Sequence, residues 1–374
     1  MSRPVPLPRL LPPCHAEPTR DKDPASVKPP VPTVGQLGEL RLLRLLRQIF
    51  DHPAPSGGAP AWSWVVDPEL EVDNGDDALV WLPQGACVAT VDSITEGVDW
   101  LRGLTPPEAV GHRAGAVNLS DLAAMGATPV HLLLALELPP DMPSDQVLRG
   151  ARGLAQVAQR FGCRVSGGDL GFSAGPQRWS VTALGEVSGR PLRRDSARPG
   201  DRLWLIGEVG MAAVGLAWLQ RTGGLPATGH WAEPFVEAHL RPEPLVAAGR
   251  LLQRLAVQGQ RLACLDISDG LVLDATRLCA ASRVGAVVEL PAPQWPEAAQ
   301  QWLEEQHILP SECCGAGGDD YALLVAAAPD IDLSACGLQS PCRVVGQITV
   351  GPSGKVFASV GGQVVAGAGW LHGT

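Results

Sequence analysis

The chain has 374 residues, long enough for two domains of ordinary size, and its 45% hydrophobic and 18% charged residues suit a globular protein with a substantial core. A net charge of −10 argues against a general nucleic-acid or anionic-membrane partner, and no apolar run is long enough to span a bilayer. Nine cysteines without a C-x-x-C pair, most in apolar runs such as Ala86-Cys87-Val88-Ala89, predict buried reduced thiols in a cytoplasmic protein, and eight scattered histidines without an H-x-x-x-H pair give no zinc signature.

Residues 1–34 hold ten prolines and mixed charges with no apolar core of a secretory signal, and read as a disordered tail. Leu37, Leu40, Leu43, Ile49 and Phe50 then recur near helical spacing. Val65–Val66 and residues 79–82 read as short strands around the acidic turn Asp73-Asn74-Gly75-Asp76-Asp77. A strand is expected over 86–92, followed by a loop through Gly97. A helix opened by prolines covers 106–127, a strand 130–138, and a helix 144–161 ends at Gly162. Arg164-Val165 leads into a Gly167-Gly168-Asp169 turn, and 179–187 supplies another strand. This alternation predicts an α/β or α+β class.

A change of composition at Gly189-Arg190-Pro191-Leu192-Arg193-Arg194-Asp195 places a domain boundary there, dividing 35–189 from 190–374. The second half opens on the turn Pro199-Gly200-Asp201 and a strand over 202–206. Helices follow over 211–220 and 244–255, then a strand over 262–267 and a helix over 271–282. Strands over 286–290 and 321–326 precede 344–350 and 356–360, which Pro352-Ser353-Gly354 would join as a hairpin.

Six aspartates, Asp77, Asp92, Asp121, Asp169, Asp266 and Asp269, each sit beside Gly, Ser, Thr or Asn at the end of an apolar run. Element ends in an α/β protein converge on one edge, where ligands bind. Carboxylates gathered there need a cation to stay ionised, and hard oxygen ligands with few histidines suit Mg²⁺ and phosphate chemistry. The sharpest motif is Asp266-Ile267-Ser268-Asp269-Gly270, with two aspartates at a strand-to-helix junction and a glycine that lets backbone approach a phosphate. A helix cap would explain one of those aspartates but not both. Asn118 and Asp121 share a helical face.

Taken in order, Gly75-Asp76-Asp77, the Asp92 loop, the segment from Asn118 to Ala127, Gly167-Gly168-Asp169, Arg194 with Pro199-Gly200-Asp201, Asp266 to Gly270, and Gly317-Gly318-Asp319-Asp320-Tyr321 resemble the thiamine-monophosphate kinase family. That family belongs to the ATP-binding superfamily of aminoimidazole ribonucleotide synthetase. The resemblance implies an N-terminal domain with a mixed sheet that binds ATP and Mg²⁺ and forms a homodimer, followed by a C-terminal α/β sandwich. It implies ATP-dependent phosphorylation of thiamine monophosphate to thiamine diphosphate. Asp77, Asp92, Asp121, Asp169, Asp266 and Asp269 match Mg²⁺-holding positions, and Thr90 matches a hydroxyl residue that also meets metal. Gly168, Asp169, Arg194 and Ser268 match positions that meet ATP, and Asp319 and Trp370 match positions facing the thiamine substrate.

The chain departs from the family pattern in four places. Val91 stands where Thr is usual, leaving only its backbone carbonyl for metal. Asp99 replaces a histidine at a substrate contact. Leu170-Gly171 replaces two threonines after the Gly-Gly-Asp, and Asp319 replaces a glutamate. Two other readings follow: a related ATP-using enzyme with a different acceptor, or a catalytically weak nucleotide-binding paralogue.

Overall fold

The computed structural model describes residues 31–51 and 77–365. Helices α1 (Val34–Leu37) and α2 (Glu39–Asp51) open it, then β1 (Ala86–Thr95), α3 (Pro107–Ala124), β2 (Thr128–Leu138), α4 (Ser144–Arg160), β3 (Arg164–Phe172) and β4 (Arg178–Val187). Packing begins slightly before residue 35: Val34 is fully buried, and the Pro32 carbonyl accepts hydrogen bonds from the Ser144 N–H and hydroxyl. The four strands form one sheet in the order β1-β4-β2-β3, antiparallel except for β2–β3. Alternation along β4 buries Trp179, Val181, Ala183 and Val187, and α3 and α4 cover that face.

The second half contains β5 (Arg202–Ile206), α5 (Met211–Thr222), α6 (Glu233–Leu240), α7 (Val246–Val257), β6 (Leu262–Asp266), α8 (Leu271–Ser282) and β7 (Gly285–Leu290). It continues through α9 (Glu297–Glu305), α10 (Pro310–Ala316), β8 (Leu323–Ala327), β9 (Cys342–Thr349), β10 (Val356–Val360) and β11 (Gln363–Val364). Its seven strands run in the order β11-β10-β7-β9-β5-β8-β6. Strand β8, between β5 and β6, is apolar throughout because both faces are covered. Leu324 and Ala326 join the core under α8, whereas Leu323, Val325 and Ala327 join the core under α7. Both halves are thus mixed α/β units, as the alternation of elements predicted.

Four sequence expectations are corrected. Residues 344–350 and 356–360 are strands but not a hairpin, because β7 lies between them, antiparallel to β9 and parallel to β10. Gly167-Gly168-Asp169 is not a turn but the middle of β3, kept extended by pairing with β2. Among residues 79–82 only Val80 makes a bridge, so no strand forms there, while Val65–Val66 lies outside the described residues. Cys87 is exposed on the edge strand β1; the other described cysteines are free and buried or half-buried. No helix among the described residues is long and apolar enough to cross a membrane.

The two halves meet where α3 crosses α7. Ala124 of α3 packs into the second half's core, and Val246 of α7 packs into the first. At the crossing, a Cβ on Gly249 would lie 2.0 Å from the Ala123 carbonyl oxygen. Intrinsic helix propensity favours alanine over glycine there by about 1 kcal/mol. Backbone overlap should reverse that sign, so Gly249→Ala should destabilise the protein by about 1–3 kcal/mol in urea unfolding. A stabilised variant would mean the helices can separate without loss.

Candidate active site

Helix α3 starts at Pro107, where a missing N–H costs nothing, and is buried on nearly every side. Polar side chains inside it must therefore find partners in both halves. Among the described residues β1 is the edge strand of its sheet, and Asn118 meets one of its N–H groups. Its Oδ1 accepts from the Asp92 N–H at 2.9 Å, and its Nδ2 donates to the Ala114 carbonyl at 3.0 Å. The Thr90 hydroxyl donates to Asp121 Oδ2 at 2.6 Å, joining β1 to α3 a second time. The Ser120 hydroxyl donates to Asp266 Oδ2 at 2.8 Å, joining α3 to the end of β6 in the other half.

Thr90, Asp121, Ser120 and Asp266 thus form one hydroxyl–carboxylate cluster across the boundary. Burial and the neighbouring Asp121 charge push the Asp266 carboxyl up to about 7, against the Ser120 hydrogen bond. Burial also raises the Asp121 pKa, opposed by the Thr90 hydroxyl and then by the positive charge of exposed Arg194. Arg194 therefore lies within electrostatic reach of Asp121.

The remaining expected residues are placed less uniformly. Asp92 and Asp77 are exposed, Asp92 one strand alternation from Thr90 and on the same face of β1. Val91 points to the opposite face, is 63% exposed, and offers the cluster no side-chain contact. Asp269 turns from the cluster to Arg277, at 2.5 Å, and its N–H donates to Asp274. Half-buried Ser268 sits between them, its carbonyl accepting from the Asp319 N–H at 2.8 Å. Gly168 and Asp169 lie on β3, with Gly168 level with Leu134 and through it with Asp92. Three strand spacings put about 14 Å between these edges, so Asp169 does not join the cluster within one chain. A Cβ at Gly168 would meet the Leu134 carbonyl oxygen at 1.8 Å, so this glycine serves sheet pairing.

On the proposed substrate side, the Asp99 carboxylate accepts from the Thr95 N–H at 2.7 Å and closes the turn after β1. Asp319, in a left-handed conformation with φ 69°, meets Arg113 of α3 at 2.6 Å. Arg113 also donates to the His239 carbonyl at 2.7 Å, and the Tyr321 hydroxyl donates to Asp319 at 3.3 Å. Burial works to raise the Asp319 pKa, but Arg113 and then His239 outweigh it and hold the carboxyl below its ordinary value. Burial and the Arg113 charge push His239 down to about 4, so it is neutral near pH 7. Trp370 lies outside the described residues.

Sequence reading missed Arg113 and His239 altogether. The signal was present for Arg113, which stands seven residues before Ser120 and hence on the same helical face. It also missed that Asp320 caps α5, its carboxylate accepting from the Gly210 N–H at 2.7 Å and the Ala212 N–H at 3.3 Å. Neither His239 nor Asp320 carried a sequence pattern that separates it from an ordinary surface residue.

No three His, Cys, Asp or Glu side chains among the described residues are close enough to cage an ion alone. Mg²⁺ does not need such a cage: it binds one or two carboxylates and completes its shell with water and phosphate oxygens. Two adjacent buried carboxylates with oxygen-only neighbours fit that mode. Burial is the largest cause of the raised pKa of both, and for Asp266 the neighbouring Asp121 charge adds to it.

With the Asp266 carboxyl moved from 3.8 to about 7, the folded chain keeps a proton that the unfolded chain has lost. Stability from this group therefore falls as pH rises from about 4 to about 7. In chelator-treated protein, Asp266→Asn should raise the thermal midpoint near about pH 8 and lose that advantage near about pH 4. Equal midpoints of variant and parent at the higher pH would count against a buried, uncompensated charge.

The chain matches the family models for the AIR synthase related protein N-terminal domain over residues 75–187 and C-terminal domain over 198–359. It is 36% identical to the thiamine-monophosphate kinase of Synechococcus elongatus, over 75% of this chain and 84% of that protein. The crystal structure of thiamine-monophosphate kinase from Stenotrophomonas maltophilia superposes with a TM-score of 0.66 at 34% identity, covering 78% of this chain and 91% of that one. AaThiL complexed with AMPPCP and TMP gives a TM-score of 0.66 at 27% identity, covering 90% of this chain and 97% of that one. A hydroxyl–carboxylate cluster shared between two AIR synthase related domains, with relatives of this similarity over most of its length, places the chain in the thiamine-monophosphate kinase family.

Proposed function

We propose that the protein transfers the γ-phosphoryl group of ATP to the phosphate of thiamine monophosphate, giving thiamine diphosphate. The observation that carries this reading is the Thr90–Asp121 and Ser120–Asp266 pairing across the two halves, in a chain of this family. Simultaneous binding of AMPPCP and TMP by AaThiL supports adjacent sites for a nucleotide and an acceptor. We assign residues 35–189 to an ATP- and Mg²⁺-binding unit and 190–374 to a second α/β unit, with the reaction in the cleft between them.

Two anionic reactants must be brought together, so electrostatic repulsion is the main barrier for the protein to overcome. Asp92, Asp121 and Asp266 would hold Mg²⁺, helped by the Thr90 hydroxyl and the Val91 carbonyl, with Asp77 and Asp269 as outer carboxylates. Bound Mg²⁺ would supply neutralising charge at the transferring phosphate oxygens. Asp269 would first have to leave Arg277. Arg194 would add a fixed cation beside the ATP phosphates, and Ser268 a polar contact. The acceptor phosphate is already ionised near neutral pH, so no general base is required.

Asp99, Asp319 and Trp370 would face the thiamine. Two carboxylates suit a cationic thiazolium and an aminopyrimidine, and an indole suits stacking on either ring. Gly168 and Asp169 enter this scheme through a homodimer, because within one chain they stand on the far sheet edge. The long exposed edge strand β1, with Val91 63% exposed, supports a partner on the N-terminal half. Free thiols support a reducing, cytoplasmic setting.

Incubating the pure protein with ATP, Mg²⁺ and thiamine monophosphate should yield thiamine diphosphate, followed by chromatography. Asp121→Asn should lower kcat by about 100-fold or more while the fold is retained. ATP binding without any diphosphate product would overturn the kinase assignment in favour of a nucleotide-binding paralogue. Product formed only with another phosphate acceptor would favour the related-enzyme reading.

A further inference from the structure

Arg113 has no part in the scheme above, yet its side chain is buried, only 5% exposed, against Asp319. Placing a guanidinium there is costly, and it is retained only when its hydrogen bonds are well used. Two of its nitrogens are committed to the C-terminal half. Nη1 donates to the His239 carbonyl of α6, and Nη2 lies 2.6 Å from Asp319 Oδ1. Nε, also buried, has no hydrogen-bond partner among the described residues, and these two contacts anchor the side chain.

The anchored segment needs holding. Asp319 and Tyr321 both have positive φ, at 69° and 51°, a conformation that side-chain-bearing residues adopt at a cost. The same segment is stitched to the Asp266–Gly270 loop: the Asp319 N–H donates to the Ser268 carbonyl, and the Tyr321 N–H to the Ile267 carbonyl, each at 2.8 Å. One helix therefore grips both loops, through Arg113 on Asp319 and through Ser120 on Asp266.

We propose that Arg113 is a positioning residue that fixes the Asp319 carboxylate for the cationic part of the acceptor substrate. This rests on the thiamine monophosphate reading. Arg113 and the Tyr321 hydroxyl meet Oδ1, whereas His239 Nδ1 stands 3.7 Å from Oδ2, too far for a hydrogen bond. A side chain 29% exposed, held in one orientation, can meet a thiazolium or an amino group of the substrate through that second oxygen. Arg113 itself touches neither reactant.

The test is steady-state kinetics of the full chain and its Arg113→Met and Arg113→Lys variants, varying thiamine monophosphate and ATP separately. Arg113→Met should raise KM for thiamine monophosphate by about 10-fold or more, with KM for ATP held within about twofold. Arg113→Lys, which keeps the charge, should recover part of that loss and covers the case in which the methionine variant fails to fold. Asp319→Asn should resemble Arg113→Met, and the double variant should be no worse than the poorer single one. Unchanged KM for thiamine monophosphate in both Arg113 variants, or a parallel rise in both KM values, would overturn the proposal. A parent protein that binds ATP but never turns over thiamine monophosphate would instead remove the underlying kinase reading, and this proposal with it.

Discussion

Burying α3 where the two halves meet is the constraint from which the rest of the site follows. A helix enclosed on nearly every side must find partners for the polar side chains it carries within the protein. Arg113, Asn118 and Ser120 each reach a different element: the Asp319 segment, the outer edge of β1 and the end of β6. Each hydrogen bond removes an unpaired buried group whose cost would be about 1–3 kcal/mol. The requirement of satisfaction fixes the relative positions of three loops that are distant in sequence. Precision in the site thus comes from the helix and not from the loops themselves.

Electrostatics works in the opposite sense. Asp121 and Asp266 are held close by neutral hydroxyls, with Arg194 as the nearby positive charge acting on Asp121. Hydroxyls orient a carboxylate but leave its charge in place, so the pair remains poised to take up positive charge or protons. The Arg113–Asp319 contact shows the contrasting solution, in which a buried acid is matched by a guanidinium and held below its ordinary pKa. The buried acids are therefore tuned in opposite directions: burial moves Asp121 and Asp266 up, and Arg113 holds Asp319 down.

The strands and long helices were legible because hydrophobic period and turn residues agree, as in β5, β10 and α8, whose bounds follow the sequence expectation. Pairing was not legible. Nothing in the run from 344 to 360 says that β7, some distance earlier in the chain, will come between its two strands. Gly167-Gly168-Asp169 misled for a related reason: paired glycines suggest a turn, whereas here close approach to the β2 backbone demands Gly168. Among site residues, Asp121 and Asp266 were visible from local motifs. Arg113 was harder to see because an arginine in a helix ordinarily reads as solvent-facing, and only its partner in the other half, more than two hundred residues on, explains its burial.

The four departures from the family pattern acquire physical meanings in this setting. Val91 faces away from Thr90 and Asp121, so losing a hydroxyl there leaves the cluster unaltered and adds apolar surface to the exposed face of β1. Leu170 points into the core on the opposite side of β3 from Asp169, where an apolar side chain packs well. Asp99 closes its own turn through the Thr95 N–H and adds a negative charge felt by Arg113. Asp319, with a side chain one methylene shorter than glutamate, still reaches Arg113 because its left-handed backbone carries the carboxylate toward α3. The first two changes are neutral to the cleft. The last two both place acid around one buried guanidinium, and so concentrate the chain's individuality where the organic part of the substrate would bind, away from the phosphate chemistry.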